Sequence, residues 1–152
     1  MIKFIGEYPA KVDDKGRVVF PSALKAQMQE GNGPVDLRFV IKKDLWEPCL
    51  EMYTLAEWER QSEEINSKIN PLNRDHSAFW REYTRHRCIA EPEAKLGRMA
   101  IPKTLLESIG AGRELVFCGC DHKIEIWGRE QFENSSLSSE QFISLTESLS
   151  SK

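Results

Sequence analysis

Few residues of this sequence are suited to catalysis, and no stretch of it is long and apolar enough to cross a membrane. Its 152 residues include three histidines and four cysteines. No apolar run approaches the ~18 residues that a membrane-spanning helix needs. The first residues also lack the apolar segment of a secretory signal peptide. We therefore expect a cytoplasmic protein that has no membrane segment.

The motifs that position reacting groups in enzymes are missing as well. The chain has no P-loop, no G-x-G-x-x-G and no H-E-x-x-H. His76, His86 and His122 are isolated from any nucleophile motif. The segment Cys118–His122 (CGCDH) lacks a second ligand pair at zinc-like spacing, so we interpret it as a strand end. These absences predict a protein that is not an enzyme and uses no metal, cofactor or small-molecule substrate.

The net charge of −3 argues against a chain that is basic all over. The charge is uneven, because the segment from Glu130 to the C-terminus contains four acids and one lysine. The rest of the chain is therefore neutral in sum. A neutral body presents a basic face when its acidic residues lie elsewhere.

The sequence contains an internal repeat with an offset of 81 residues. GRVVFPSAL, from Gly16 to Leu24, matches GRMAIPKTL, from Gly97 to Leu105. The proline of each copy is expected to open a short helix, because the first helical position tolerates a missing N–H. A glycine, Gly31 in one copy and Gly110 in the other, is expected to end that helix.

The match between the copies continues in two further segments. DLRFVIKKD (36–44) lies beside RELVFCGCD (113–121), and LEMYTLAEW (50–58) lies beside IEIWGREQF (124–132). Each copy therefore predicts strand, turn, strand, short helix, strand, turn, strand and helix. One copy of roughly 50 residues is too small to bury much core, so we predict two intertwined halves.

Two helices are predicted between the copies. A capping box of Thr54 and Glu57 marks the start of the first, and Asn70-Pro71 separates it from the second. Apolar residues recur at helical spacing in both helices: Leu55, Trp58, Ile65, Ile69, Leu72, Phe79, Trp80 and Tyr83. We expect an αα-hairpin that packs either on the repeats or on a neighbouring subunit.

The most distinctive segments are the turns that precede each repeated apolar run. In the first turn, Asp13 and Arg17 are four residues apart, and Gly16 permits the positive φ of a chain reversal. The planar guanidinium of Arg17 can form a bidentate contact with a phosphate or a guanine edge. Lys15 at the tip adds a phosphate contact. Repetition of these charges favours a binding role over a plain hairpin with an Asp–Arg bridge.

The chain resembles the MraZ family, whose halves belong to the SpoVT/AbrB-like class. The resemblance is carried by FIGEYPAKVDDKGRVVFPSAL and by the second GRMAIP, and it covers residues 3 to about 132. The hallmark of the family is a repeated Asp-x-x-x-Arg motif, which Asp13 and Arg17 match. In the second copy Ala94 occupies the Asp position, and Glu93, one place earlier, is expected to substitute for it only partly. We therefore expect Arg98 to be less well oriented than Arg17.

This resemblance implies an α+β fold, namely a pseudo-symmetric two-repeat AbrB-like β-barrel with short helices and a helical bridge. It also implies a transcriptional regulator that binds short direct repeats in double-stranded DNA upstream of division and cell-wall genes. Such a protein would be a ring-shaped homo-oligomer associated with the nucleoid. The expected DNA contacts are Lys15, Arg17, Lys95 and Arg98, and Gly97 corresponds to Gly16. The alternative is a ring-forming adaptor that binds protein instead of DNA.

We predict one compact domain over residues 1–132. Its parts are repeat 1 (about 4–58), the bridge (about 59–87) and repeat 2 (about 88–132).

The acidic, serine-rich tail of residues 133–152 lies outside both repeats, and we expect it to be flexible. Ser138 and Gln141 nevertheless form a weak capping box. Three apolar residues would share one side of a helix there: Phe142, Leu145 and Leu149. The alternative is therefore a C-terminal helix that docks on the next subunit.

Overall fold

The computed structural model describes residues 2–29 and 33–150, which form a mixed α/β fold of eight strands and six helices. In chain order, the strands are β1 (Phe4–Lys11), β2 (Arg17–Val19), β3 (Phe39–Lys43), β4 (Cys49–Thr54), β5 (Cys88–Ala90), β6 (Arg98–Ala100), β7 (Glu114–Asp121) and β8 (Lys123–Gly128). The helices are α1 (Ser22–Met28), α2 (Leu55–Asn66), α3 (Arg74–Thr84), α4 (Lys103–Ser108), α5 (Arg129–Glu133) and α6 (Ser139–Ser150).

The order of elements is the same in both copies of the repeat, as the sequence predicts. The first copy runs β1, β2, α1, β3, β4 and α2, and the second runs β5, β6, α4, β7, β8 and α5. Pro21 and Pro102 precede α1 and α4, and Gly110 ends α4 with a φ of +67°. Gly31, the residue expected to end α1, lies outside the described residues.

The two copies exchange strands within one sheet. Its order is β1-β7-β8-β4-β3-β5, and all of its neighbouring strands are antiparallel. Strand β1 of the first copy pairs with β7 of the second, whereas β5 of the second copy pairs with β3 of the first. The remaining strands, β2 and β6, form a separate two-stranded antiparallel ribbon. Because each copy supplies partners that the other lacks, the copies are interleaved.

The sheet and the ribbon share one apolar core. Alternate residues of the sheet strands face this core, since successive side chains of a strand point to opposite faces. The ring of Phe20 lies 5.2 Å from that of Phe39 and 6.2 Å from that of Phe117, measured between centroids. The ribbon contributes Val18 and Met99, which are both buried. The opposite face of the ribbon is therefore turned away from the core.

The outer face of the sheet at β3 and β4 is covered by α2 and α3. Thr54 caps α2, because its Oγ1 accepts a hydrogen bond from the Glu57 N–H at 3.1 Å. Trp58 and Tyr83 stack with centroids 6.1 Å apart and pack with residues of β3 and β4. The helical hairpin thus packs on its own repeats, which is the first of the two expected alternatives.

The C-terminal tail contains α6, which begins at the predicted capping box. The Ser138 N–H donates to Oε1 of Gln141 at 2.9 Å, and the Gln141 N–H donates to Oγ of Ser138 at 3.1 Å. None of the α6 side chains is buried. The flexibility of this segment stays a prediction.

Within residues 2–29 and 33–150, none of the helices combines the length and the apolar character needed to span a membrane.

Candidate nucleic-acid interface

The β2–β6 ribbon brings the two Gly-Arg turns together on one surface. Its register pairs Arg17 with Ala100, Val18 with Met99, and Val19 with Arg98. Because Val18 and Met99 face the core, the two arginines lie on the outer face, where their side chains are 35% and 32% exposed. They form a diagonal pair, and diagonal neighbours on one face of a ribbon lie about 7–8 Å apart.

The first turn is closed by hydrogen bonds to Asp13. The backbone of this residue donates to the Arg17 carbonyl at 2.8 Å and accepts from the Gly16 N–H at 3.1 Å. Its Oδ1 accepts from the backbone N–H groups of Lys15 and Arg17, and its Oδ2 accepts from Nε of Arg17 at 2.9 Å. The Arg17 backbone N–H is the main cause that lowers the pKa of Asp13 below its usual value of 3.8. Gly16 has a φ of +77°, as the predicted turn requires.

In the second turn Glu93 takes the place of the missing aspartate. Its N–H donates to the Arg98 carbonyl at 2.9 Å, and its carbonyl accepts from the Gly97 N–H at 3.0 Å. Its Oε1 accepts a hydrogen bond from Nε of Arg98 at 2.7 Å. This turn has four residues between its acid and its arginine, whereas the first has three. Gly97 has a φ of +71°, so the turn reverses in the same way.

The structure thus gives Arg98 a carboxylate partner on Nε like that of Arg17, and the expectation that Arg98 is less well oriented stays a prediction. Glutamate has one more methylene group than aspartate, and this longer side chain reaches Nε of Arg98 across the larger turn. The hydrogen bond from Arg98 is the main cause that lowers the pKa of Glu93, and the same bond raises the pKa of Arg98. Ala94 lies between these residues in sequence and is exposed.

Within each guanidinium, the carboxylate accepts a hydrogen bond from Nε only. A guanidinium has five N–H donors, and four of them belong to its two terminal nitrogens. Among the described residues, the terminal nitrogens of Arg17 and Arg98 have no hydrogen-bond partner within the chain. Each guanidinium is thus held through Nε and presents its two terminal nitrogens outward.

Lysines surround the ribbon in two grooves. The first-turn groove contains Lys15 and Lys103 in its lining, and the second-turn groove contains Lys11, Lys25 and Lys95. In the part of the chain that the structure describes, none of these five lysines lies within 4.0 Å of a carboxylate oxygen. The sequence prediction included Lys15 and Lys95 but missed the other three. No sequence motif marks those three, because β1, α1 and α4 bring them beside the ribbon from other parts of each repeat.

A second polar cluster lies beneath α3, on the outer face of the sheet. Lys42 and Glu51 are only 2% and 8% exposed. Nζ of Lys42 donates to Oε1 of Glu51 at 3.1 Å and to the Lys43 carbonyl at 2.9 Å, and it lies 4.5 Å from the ring centroid of Tyr83. The Tyr53 hydroxyl donates to Oε2 of Glu51 at 2.9 Å. These bonds satisfy the buried charges, so the cluster serves the fold.

The carboxylates near this cluster that could bind a metal ion are instead ion-paired with a lysine. Ligand atoms of Asp44, Cys49 and Glu125 lie within 4.8 Å of one another. Nζ of Lys123 lies 3.9 Å from Oδ2 of Asp44, 3.2 Å from Oε2 of Glu125 and 2.6 Å from Oε2 of Glu51. Burial raises the pKa of the Cys49 thiol far above its usual value, so the thiol is protonated and a poor ligand. Lys123 therefore supplies the positive charge that a metal would bring.

The fold and the ribbon define a class of protein, in which two interleaved repeats each contribute one strand and one anchored arginine to a shared surface. Residues 3–79 and 95–150 match the family described as "MraZ protein, putative antitoxin-like", and the chain belongs to this MraZ family. This confirms the resemblance inferred from the two Gly-Arg turns.

Relatives from several bacteria carry the name "Transcriptional regulator MraZ". The relative from Bacteroides thetaiotaomicron is 32% identical over 142 residues, which cover 93% of this chain and 88% of the relative. The relative from Christiangramia forsetii is 36% identical over 152 aligned residues, with 97% and 92% covered. The relative from Clostridium botulinum strain Alaska E43 is 37% identical over 132 residues, with 86% and 85% covered.

Proposed function

We propose that this chain is a transcriptional regulator that binds double-stranded DNA through the outer face of the β2–β6 ribbon. Relatives across most of its length bear the name transcriptional regulator. The observation that carries the proposal is the diagonal pair of Arg17 and Arg98, each held by its own carboxylate on one outward face. The protein acts by binding, without a cofactor and without catalysis.

The shape of the ribbon suits the major groove of DNA, which is about 12 Å wide and admits a two-stranded β-ribbon. Arg17 and Arg98 would contact guanine O6 and N7 through their free terminal nitrogens. Lys15 and Lys95, at the tips of the two turns, would contact phosphates. Asp13, Gly16 and Gly97 support this arrangement by fixing the turns and not by touching DNA.

Several copies acting together would compensate for the weak electrostatic attraction of one neutral chain. A few phosphate contacts per chain give a small free energy of binding, whereas copies linked in one assembly bind neighbouring sites with much higher avidity. We therefore propose a ring-shaped homo-oligomer that binds short direct repeats upstream of division and cell-wall genes in the nucleoid. In each subunit the sheet and the ribbon would close around their shared core as an AbrB-like barrel.

Selection of bound fragments from random duplex DNA by the purified protein tests this function. We expect recovery of a short repeated sequence that contains guanines. The logarithm of the binding constant should fall linearly with the logarithm of the salt concentration, by about 0.9 for each phosphate contact. If the protein retains no duplex DNA, or if binding does not depend on salt, the protein-binding adaptor becomes the better proposal.

A further inference from the structure

The two grooves beside the ribbon differ in charge although the repeats that form them are related. In the first-turn groove, Lys15 and Lys103 are accompanied by Asp14 and Glu107, so the charges cancel. The described lining of the second-turn groove has three lysines, Lys11, Lys25 and Lys95, and no carboxylate. The internal repeat alone would predict equal grooves.

The positive charge of the second-turn groove is not neutralised by its neighbours. Lys11 lies opposite Glu114 in the pairing of β1 with β7. That glutamate faces Arg129, whose Nη1 lies 3.4 Å from its Oε1. Lys25 is half-buried on α1 and Lys95 is exposed at the tip of the second turn, and neither has an ion-pair partner among the described residues. The groove therefore presents three cations side by side.

The first-turn groove has an acid on each of its sides. Asp14 forms an ion pair with Arg113, and its side chain is 90% exposed. Glu107 is exposed on α4, one turn after Lys103 on the same helix. A phosphate entering this groove would meet Glu107, and Asp14 with its partner Arg113, as well as two ammonium groups, so it would gain less than in the second-turn groove, whose described lining has no carboxylate.

We infer that the second-turn groove binds the sugar-phosphate backbone of the DNA beyond the turn tips, with Lys11 and Lys25 as phosphate contacts in addition to Lys15 and Lys95, and that Lys103 of the first-turn groove makes no such contact. This inference rests on the proposed function and deepens it. The ligand is the phosphate backbone of one strand of duplex DNA, where it borders the major groove beside the ribbon. Lys11 and Lys25 contact the strand beyond the turn itself, which extends the surface along β1 and α1.

This asymmetry gives the protein one direction on its site. Phosphate contacts fix the register and the orientation of a protein on the duplex, even though they carry no base information. A ribbon with equal grooves would bind in either of two orientations related by its pseudo-twofold axis. Additional backbone contacts on one side only, those of Lys11 and Lys25, favour one of them. Each subunit would therefore read an asymmetric sequence in a fixed direction.

Binding of the full-length chain to its selected duplex, measured over a range of salt concentrations, tests the inference. A plot of log binding constant against log salt has a negative slope. Lys25→Ala should make this slope shallower by about 0.9, which corresponds to the loss of one phosphate contact. Lys103→Ala is the matched control, since it removes an unpaired lysine from the short helix of the other repeat, and it should leave the slope unchanged. Glu107→Lys should make the slope steeper by about 0.9 and tighten binding, because it makes the first-turn groove basic.

The outcomes separate this inference from the proposed function. If the wild-type protein binds no duplex, the proposed function itself fails. If the wild type binds but Lys25→Ala and Lys103→Ala reduce the slope equally, the grooves are equivalent and the inference is overturned alone. The gain expected for Glu107→Lys cannot arise from misfolding, so its absence would also count against the inference. A hydroxyl-radical footprint extending further on one side of a single site would support it, and an even footprint would oppose it.

Discussion

Glu93 holds the Arg98 guanidinium by a 2.7 Å hydrogen bond to Nε, in the same manner that Asp13 holds Arg17 at 2.9 Å. The side chain of the acid in the second turn is one methylene group longer, and this acid lies one residue further from its arginine along the chain, so the two changes offset each other. Both arginines consequently present their terminal nitrogens from the same face of the ribbon.

We expect Arg17→Ala and Arg98→Ala to weaken specific DNA binding by similar amounts, about 1–3 kcal/mol for each lost base contact. The reason is that a carboxylate holds Nε of each arginine while the terminal nitrogens of the guanidinium point outward. Fluorescence anisotropy with the selected duplex measures the effect. Arg60→Ala is the control, because this arginine is also held by an acid, Glu57 at 2.6 Å, but lies on α2 on the other side of the sheet. A loss confined to Arg17→Ala would show that Arg98 does not reach the DNA.

The role of Glu93 can be tested apart from its charge. Glu93→Ala should reduce the ratio of specific to non-specific binding, because Arg98 then loses its anchor while an acid is removed from the surface. Glu93→Gln should retain most of the specificity, since an amide oxygen still accepts from Nε. Ala94→Asp, which restores the family motif in sequence, should change affinity by less than about twofold. A clear improvement for Ala94→Asp would mean that Glu93 orients Arg98 poorly in solution.

The sequence predicted the repeated order of elements and the projecting turns, because proline, glycine and apolar alternation determine these locally. It predicted only a partial substitution of the aspartate by Glu93, because the hydrogen bond depends on how a larger turn directs a longer side chain. It also missed Lys11 and Lys25, which approach the second turn only after β1 and α1 pack beside the ribbon. Contacts between distant segments depend on strand exchange, and strand exchange leaves no short motif.

Val19 provides a test for direct contact between the ribbon and base edges. It lies opposite Arg98 on the outer face and is 53% exposed, so its methyl groups are accessible to a ligand on that face. We expect its methyl groups to contact a thymine C5-methyl group. Replacing that thymine by deoxyuridine should weaken binding about fourfold, the ratio that corresponds to about 0.8 kcal/mol for one buried methyl group.

Val19→Ala should abolish this sensitivity to deoxyuridine, because the partner of the methyl group is then gone. The comparison uses the same duplex with a single thymine replaced at each position in turn. If wild-type affinity is unchanged by every replacement, Val19 does not face a thymine methyl group. The arginine contacts would remain a separate question.

The buried Glu51 should be important for stability. Glu51→Leu removes the acceptor shared by Lys42, Lys123 and Tyr53, which leaves two ammonium groups short of a partner. We expect a loss of about 3–5 kcal/mol in the free energy of unfolding, as for other buried ion pairs that lose one member. Glu51→Gln should cost less, because its amide oxygen still accepts a hydrogen bond. Urea denaturation measures both, and a loss below about 1 kcal/mol for Glu51→Leu would show that the lysines find other partners.

Removal of the tail after Asn134 should leave the subunit fold intact, because no side chain of α6 is buried in the chain. The cut leaves Glu133 in place, which pairs with Arg129 at 3.2 Å. The removed segment carries two glutamates and one lysine, so DNA affinity should be unchanged or slightly higher at low salt. Melting temperature, anisotropy and light scattering of the truncated protein check these expectations. A fall in oligomer mass would contradict them and would mean that Phe142, Leu145 and Leu149, all more than half exposed here, pack on a neighbouring chain.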